Sequence, residues 1–189
     1  MSALLLLLLL PTQAPNFTGL EKAELEKGEV LVKRAEPKGG KGVAARAVGL
    51  VRAHPDKVWA AVNDCAHFKD FMPSTANSEL KADGKRCKVE VSLPFPFSNL
   101  WSETKVQQVV LDDGSRRRQW TLHEGTYHHI EGSWTVVPWG EKDTLLLYFI
   151  DADPEVALPD MILRKAQAGT LPDLFDAIRK RVGAAWPGR

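Results

Sequence analysis

Four glycine-centred turn signals divide residues 78 to 150 into short segments. In the first two an aspartate precedes the glycine, a pair that fits the tight turn of a β-hairpin. The turns are centred on Gly84, Gly114, Gly125 and Gly140. Successive strands joined by links this short pair antiparallel, and a sheet built from many of them twists and curves. The chain is therefore predicted to contain a strongly curved antiparallel sheet.

The strand after the first turn shows how side chains divide between the two faces of this sheet. Its apolar residues alternate with polar and charged ones, and they are Cys87, Val89, Val91 and Leu93. A period of two places all four on one face of a strand. We expect that face to be buried.

An amphipathic helix is predicted at the C-terminal end of the chain. Its apolar residues recur at helical spacing and are Leu171, Leu174, Phe175, Ile178 and Val182, whereas Asp173, Arg179 and Lys180 are expected on its other sides. The helix is expected to begin near Pro159 and to be kinked by Pro172, because an internal proline removes one hydrogen bond and clashes with the preceding turn. A helix of this kind buries its apolar side across the concave face of a curved sheet.

Five shorter segments precede the sheet region. The first is a helix over residues 18–27, which opens with the capping-box pattern Thr-Gly-Leu-Glu. Two predicted strands follow it, over residues 29–34 and 43–53. Two short helices are then indicated by helical spacing of apolar residues over 55–62 and 66–71. The fold class is therefore α+β.

This order of elements resembles the helix-grip fold of the START and polyketide cyclase superfamily. Five local motifs carry the resemblance between residues 28 and 183. They are VGLVRAHPDKVW at 48–59, FKDFMP at 68–73, LPFPFS at 93–98, GSWTVVP at 132–138 and DPEVALP at 153–159. The last motif departs from the superfamily pattern at 155–157, where relatives often have glycines.

The resemblance implies a curved antiparallel sheet wrapped around the C-terminal helix, with a tunnel between them that receives lipids, quinones, sterols or polyketides. The expected START-like domain covers residues 28–184. It is preceded by a helical lead-in over 15–27 and by a signal peptide over 1–14, both predicted from the residues themselves. The favoured function is the binding, and transfer, of a hydrophobic ligand. The alternative is a polyketide cyclase or aromatase that uses the same cavity.

The hairpin around Gly125 supplies the main candidates for ligand contact. A three-residue loop there pairs, on one face, Leu122 with His128, Trp120 with Ile130, Arg118 with Gly132 and Arg116 with Trp134. The two tryptophans make this the predicted concave face. Arg118 is then expected to point inward opposite a glycine, and Arg116 to lie over the ring of Trp134.

Arg118 is the polar residue that most needs an explanation, because an unpaired buried charge is costly. It is predicted to clamp a ligand head group, to pair with Glu103, or to snorkel at the sheet edge. The predicted ligand contacts are Phe71, Met72, Val89, Val91, Trp101, Arg118, Trp120, Leu122, His128, Trp134 and Ile162.

The histidines of the same hairpin invite a metal interpretation. His123, His128 and His129 lie near Glu124 and Glu131, but their spacing is not that of a helical zinc motif. Adjacent His128 and His129 also point to opposite faces of a strand. We therefore assign no metal ligand and no catalytic residue, and we expect no cofactor. If the protein performs chemistry, His128 is the best acid–base candidate.

The charge distribution limits the expected partners. The formal net charge is +1, and lysines and arginines are spread along the chain. This supplies no concentrated positive field for a nucleic-acid backbone or an anionic membrane. The expected partner is a hydrophobic small molecule or lipid, with transient membrane contact during ligand exchange and no nucleic acid.

The unbroken leucine run over residues 4–10 points to export. It is far shorter than the roughly 20 apolar residues of a membrane span, and it matches the apolar core of a signal peptide with cleavage after Ala14. No lysine or arginine precedes the run. The predicted location is the periplasm or the exterior, or the cytoplasm if the start codon is mis-assigned.

The two cysteines bear on the same question. Cys65 and Cys87 could form a disulfide in an oxidising compartment. They could equally be two buried thiols, because cysteine is among the most buried residue types. The sequence leaves both alternatives open.

Overall fold

An eight-stranded antiparallel sheet is the central element of the protein. The structure, a computed structural model, describes residues 16–159, 162 and 170–186. The strands are β1 (Val30–Ala35), β2 (Val43–Val51), β3 (Thr75–Leu80), β4 (Arg86–Val91), β5 (Leu100–Val110), β6 (Arg116–Gly125), β7 (Tyr127–Trp139) and β8 (Asp143–Pro154). Their spatial order is β1-β2-β8-β7-β6-β5-β4-β3. Strands β3 to β8 are therefore a chain of hairpins, and β2 joins β1 to β8.

Four helices accompany the sheet in the described residues. They are α1 (Gly19–Glu26), α2 (Pro55–Asn63), α3 (Phe68–Phe71) and α4 (Thr170–Arg181). The predicted capping box opens α1, since the side chains of Thr18 and Glu21 each accept the other's backbone N–H. No helix in the described part of the chain is both long and apolar enough to cross a membrane.

The predicted α+β helix-grip class is confirmed by this architecture. Pro172 lies within α4. Residues 160, 161 and 163–169 lie outside the described residues, so the predicted helix start near Pro159 and the kink at Pro172 stay predictions.

The two faces of the sheet pack against different helices. On the inner face, residues of β2, β6, β7 and β8 form one apolar cluster with α2, α3 and α4, and Phe175 and Ile178 of α4 are fully buried there. Gly49 of β2 makes room for this contact, because a Cβ at its position would collide with the Phe175 ring. On the outer face, Leu25 of α1 packs against Val137 and Leu145. The inner face is thus the side closed by the C-terminal helix, as predicted.

The pairing of β6 with β7 differs from the prediction by two residues. Arg118 lies opposite Trp134, and Trp120 lies opposite Gly132. The predicted pairs are therefore wrong, but Arg118, Trp120 and Trp134 lie on the predicted face, because a shift of two residues preserves the side on which each side chain lies. The Trp120 ring lies against Gly132, where a Cβ would collide with it. Arg116 lies over the ring of Trp59, with Cζ 5.3 Å from the ring centroid, and not over Trp134.

Arg179 of α4 was predicted away from the apolar side of the helix, and that prediction is wrong. Its side chain is fully buried. The guanidinium donates to the carbonyl of Leu50 through Nε at 3.0 Å and Nη2 at 2.8 Å, to the carbonyl of Gly28 at 3.0 Å, and to Asp176 at 2.8 Å. Its charge is accommodated because these acceptors replace water. Arg179 thereby ties α4 to β2 and to the turn before β1.

Cys65 and Cys87 form a disulfide in the structure, with Cα atoms 6.1 Å apart. The bond joins the 3₁₀ turn Cys65–His67 to β4. This turn leads directly into α3, so the bond fixes the start of α3 against the sheet. Of the two alternatives that the sequence left open, the structure shows the paired form.

Candidate ligand-binding site

A cluster of aromatic side chains occupies the centre of the inner face. Trp134 lies between two rings, with its centroid 4.4 Å from that of Tyr148 and 5.7 Å from that of Phe175. The Trp120 ring is 6.0 Å from Tyr148. Adjacent strands β6, β7 and β8 contribute one ring each to the sheet side, and α4 contributes Phe175. These rings provide a large apolar surface with a few polar atoms at its edges.

Arg118 lies within this aromatic cluster. Only 4% of its surface is exposed, and its Cζ is 5.3 Å from the ring centroid of Trp120 and 5.6 Å from that of Phe68. Within the described part of the chain, its guanidinium has no hydrogen-bond or ion-pair partner. The predicted inward position of Arg118 is thus observed.

The predicted pairing of Arg118 with Glu103 is not observed. Glu103 instead accepts a hydrogen bond from Arg86 Nη1 at 2.6 Å and lies 3.7 Å from Lys81 Nζ. These contacts lie on the other face of the sheet, because Glu103 pairs with Lys88, whose neighbours Cys87 and Val89 point inward. Snorkelling is also excluded by the burial of the guanidinium.

Burial lowers the pKa of Arg118 from 12.5 to about 10, and the neighbouring Tyr148 partly opposes that change. The cause is desolvation, which disfavours the charged form. A pKa near 10 still leaves the side chain almost fully protonated at neutral pH. The inner face therefore contains a permanent positive charge surrounded by aromatic rings.

Two tyrosine hydroxyls accompany this charge. Burial is the main cause that raises the pKa of Tyr148 above its usual value, and burial raises the pKa of Tyr127 to about 12. Both hydroxyls are therefore neutral at physiological pH. Neither has a hydrogen-bond partner among the described residues. Tyr127 belongs to an adjoining apolar cluster that Ile150 connects to the aromatic one.

The polar side-chain atoms of the site that lack a hydrogen-bond partner keep some contact with solvent. Among the described residues, Ser115 Oγ is the one completely buried side-chain nitrogen or oxygen that lacks a partner. The unpartnered guanidinium nitrogens of Arg118 therefore retain a small solvent-accessible surface. Polar groups in this condition are the usual anchors of a ligand in an otherwise apolar site.

The structure brings most of the predicted contact residues together. Arg118, Trp120, Trp134 and Met72 are buried on the inner face, and Phe71 and Val89 are partly buried against the same cluster. Leu122 packs in the adjoining cluster beside Tyr127. Val91 and Ile162 are partly buried but belong to neither cluster in the described residues.

Trp101 and His128 do not join the site. The Trp101 ring lies beneath Lys88 Nζ, 4.4 Å from it, and Lys88 points to the outer face. His128 is exposed, because the pairing of β7 with β8 is irregular between Tyr127 and His129 and skips it. The expected inward position of His128 is therefore wrong, and His128 has no place in the aromatic cluster as an acid or base. Trp101 lies on the outer face, away from the other predicted ligand contacts.

The remaining histidines of the hairpin form no metal site in the described residues, where no group of three or more suitable ligands was found. His129 Nε2 lies 2.8 Å from Asp151 Oδ1 on the outer face. That contact accounts for His129 as a partner of a buried carboxylate.

Sequence reasoning missed Tyr148 and Phe68 as site residues. Tyr148 lies in the continuous apolar run LLLYFI over 145–150, in which no alternation indicates an inward side. The helical spacing over 66–71 indicates an apolar side that contains Phe68, but the contact of Phe68 with Arg118 depends on how α3 packs across the sheet. The periodicity of a single segment carries no information on such contacts.

Residues 51–179, which are 129 of the 189 residues, match the family model described as polyketide cyclase / dehydrase and lipid transport. The chain belongs to this family. The resemblance inferred from the motifs is thereby confirmed. No curated protein sequence matches the chain.

Solved structures of related proteins share the family's fold at low identity. A STAR-related lipid transfer protein from Xanthomonas axonopodis is 20% identical, with a TM-score of 0.70 over 82% of this chain and 93% of that one. Human StAR-related lipid transfer protein 5 is 17% identical, with a TM-score of 0.68 over 82% of each chain. The Zhui aromatase/cyclase from a Streptomyces species is 16% identical, with a TM-score of 0.52 over 74% of this chain and 90% of that one. At these identities the likeness shows the fold alone.

Proposed function

We propose that the protein binds, and transfers, a hydrophobic ligand of the lipid, quinone or sterol type between the inner face of the sheet and the C-terminal helix. The observation that carries this proposal is Arg118, a buried charge with no partner among the described residues, set in a cluster of aromatic rings. A side chain that served packing alone would be apolar, because an uncompensated buried charge destabilises a fold by several kcal/mol. The names of the lipid transfer proteins that share the fold support the same function.

Burial of an apolar ligand in such a site supplies enough free energy for measurable binding. Burial of one methylene contributes about 0.8 kcal/mol, so a dozen contribute on the order of 10 kcal/mol before the cost of ordering the ligand. That is enough for micromolar binding or better.

Native mass spectrometry of the protein purified from its own host should show an apolar molecule bound at one copy per chain. Val89→Phe, which enlarges a side chain on the inner face, should reduce the bound fraction, because it fills space beside the aromatic cluster. Val109→Phe is the matched control, since Val109 is exposed on β5. A protein that retains no apolar molecule and takes up none after delipidation would contradict the proposal.

The alternative is a cyclase or aromatase that acts on a polyketide in the same site. Its support is the shared fold of the Zhui aromatase/cyclase and the presence of Arg118 and Tyr148, which could polarise a carbonyl. Ligand binding is preferred because His128, the residue expected to move protons, is exposed away from the cluster. Conversion of an added polyketide into a product that has lost water would favour the enzyme.

We also propose export, with removal of residues 1–14. The leucine run and the disulfide between Cys65 and Cys87 support it, since disulfides persist in oxidising compartments. Intact-mass measurement of fractionated cells should find a mature form that begins near residue 15 outside the cytoplasm. A full-length cytoplasmic protein with both cysteines reduced would indicate a mis-assigned start codon. We propose, as part of the ligand-transfer function, that the protein contacts a membrane transiently while it exchanges its ligand.

A further inference from the structure

The polar groups of the site are almost all hydrogen-bond donors. The guanidinium of Arg118 and the indole N–H groups of Trp120 and Trp134 can only donate hydrogen bonds, and the Tyr148 hydroxyl can donate one. None of these four has a hydrogen-bond partner among the described residues. The aromatic cluster therefore offers donors and one positive charge to whatever occupies it.

Three aspartates of the sheet and helices are paired with residues other than Arg118. Asp56 binds Arg116 at 2.7 Å, and Asp176 binds Arg179 at 2.8 Å. Asp151 accepts from the backbone N–H of Lys38 and contacts His129 on the outer face. The described residues thus contain no acid that neutralises Arg118.

We propose that the ligand itself supplies the missing charge, as an amphiphile with a single carboxylate that pairs with Arg118. This inference rests on the proposed function and narrows its ligand class to acids. One buried cation matches one negative charge, whereas a phosphate monoester would bring nearly two. A neutral alcohol, sterol or quinone would accept hydrogen bonds but would leave the charge uncompensated.

The geometry suits a carboxylate that enters among aromatic rings. The guanidinium Cζ lies over the rings of Trp120 and Phe68, 5.3 and 5.6 Å from their centroids, so aromatic surface surrounds the point where a carboxylate would bind. Arginine binds a carboxylate through two parallel hydrogen bonds, and the Tyr148 hydroxyl can add a third. The rings of Trp134 and Phe175 then face the apolar body of the ligand.

Matched probes of equal apolar size test the inference. Oleate is compared with oleyl alcohol, and 9-anthracenecarboxylate with 9-anthracenemethanol, by calorimetry on the delipidated full chain below the micellar concentration. If a probe pair binds at all, its acid should bind about 10- to 150-fold more tightly than its alcohol. This is the range for a charge-assisted hydrogen bond. Arg118→Met should abolish this preference, and Arg118→Lys should retain part of it. Arg116→Met, two residues along the same strand, should leave it unchanged.

Three outcomes separate this inference from the proposed function. Equal affinity for acid and alcohol in the wild-type chain would overturn the inference and leave hydrophobic binding intact. A preference for acids that persists in folded Arg118→Met would overturn the role of Arg118. Failure of both probe pairs, together with no apolar molecule in the native mass spectrum, would overturn the inference and the proposed function together. The wild-type comparison decides the ligand class even if the variants fail to fold.

Discussion

Arg179→Met should lower the free energy of unfolding by about 3–5 kcal/mol, the largest loss we expect from a single substitution in this protein. The guanidinium makes two hydrogen bonds to the Leu50 carbonyl and one each to Gly28 and Asp176. Methionine fills a similar volume but donates no hydrogen bond, so these acceptors would be left buried or forced to find water. Each unsatisfied buried group costs about 1–3 kcal/mol.

Urea unfolding of the two proteins, with the slope of free energy against denaturant unchanged, would measure this loss. Arg181→Met is the matched control. Arg181 lies on the same helix two residues later, is exposed, and makes one ion pair to Asp64 at 2.9 Å, so its removal should cost no more than about 1 kcal/mol. If both substitutions proved equally mild, the contacts of Arg179 would contribute nothing to the attachment of α4.

Helical periodicity places Arg179 on the buried side of α4, although its charge favours an exposed position. Residue 179 follows Phe175 by four positions and Ile178 by one, so it lies on the same side of α4 as these two. Its charge led to the opposite expectation. The spacing alone would have placed it correctly, and the carbonyl acceptors on β2 that make burial possible come from a distant part of the sequence.

The sheet was more predictable than the contacts within it. The turns at Gly84 and Gly114 adopt positive φ, 66° and 79°, which glycine tolerates and most residues do not, so the sequence locates these hairpins directly. The pairing of β6 with β7 starts only at Thr121 and Glu131, so the turn at Gly125 does not set its register. A shift of two residues preserved the faces, so Arg118 was placed on the correct side with the wrong partner.

Arg118→Met should stabilise the ligand-free protein, by as much as about 3 kcal/mol. The pKa of this arginine falls from 12.5 to about 10 in the folded state because burial disfavours its charge. Each unit of pKa corresponds to about 1.4 kcal/mol, so the charge destabilises the folded state by about 3 kcal/mol at neutral pH. Methionine removes that penalty and keeps an apolar side chain among the rings of Trp120 and Phe68.

The dependence on pH follows from the direction of the change. Because the folded-state pKa lies below the unfolded-state value, the penalty is complete at pH values well below 10 and is relieved as the pH rises from about 10 toward 12.5. The stability difference between Arg118→Met and wild type should therefore be constant below about pH 9. Arg116→Met, which removes an exposed pair with Asp56, should change stability by less than about 1 kcal/mol.

Addition of the acid ligand should remove most of this difference in stability. A ligand at 100 times its dissociation constant stabilises the folded state by about 2.7 kcal/mol, and oleate at that concentration for the wild type would be far less saturating for Arg118→Met. The free energy of unfolding is measured for the wild type and for Arg118→Met, each with and without oleate. Without oleate the variant should be the more stable protein, and with oleate it should lose most of that advantage. A variant that is less stable than wild type in the ligand-free state would show that Arg118 supports the fold, and its positive charge would then need a structural partner that the aromatic cluster does not contain.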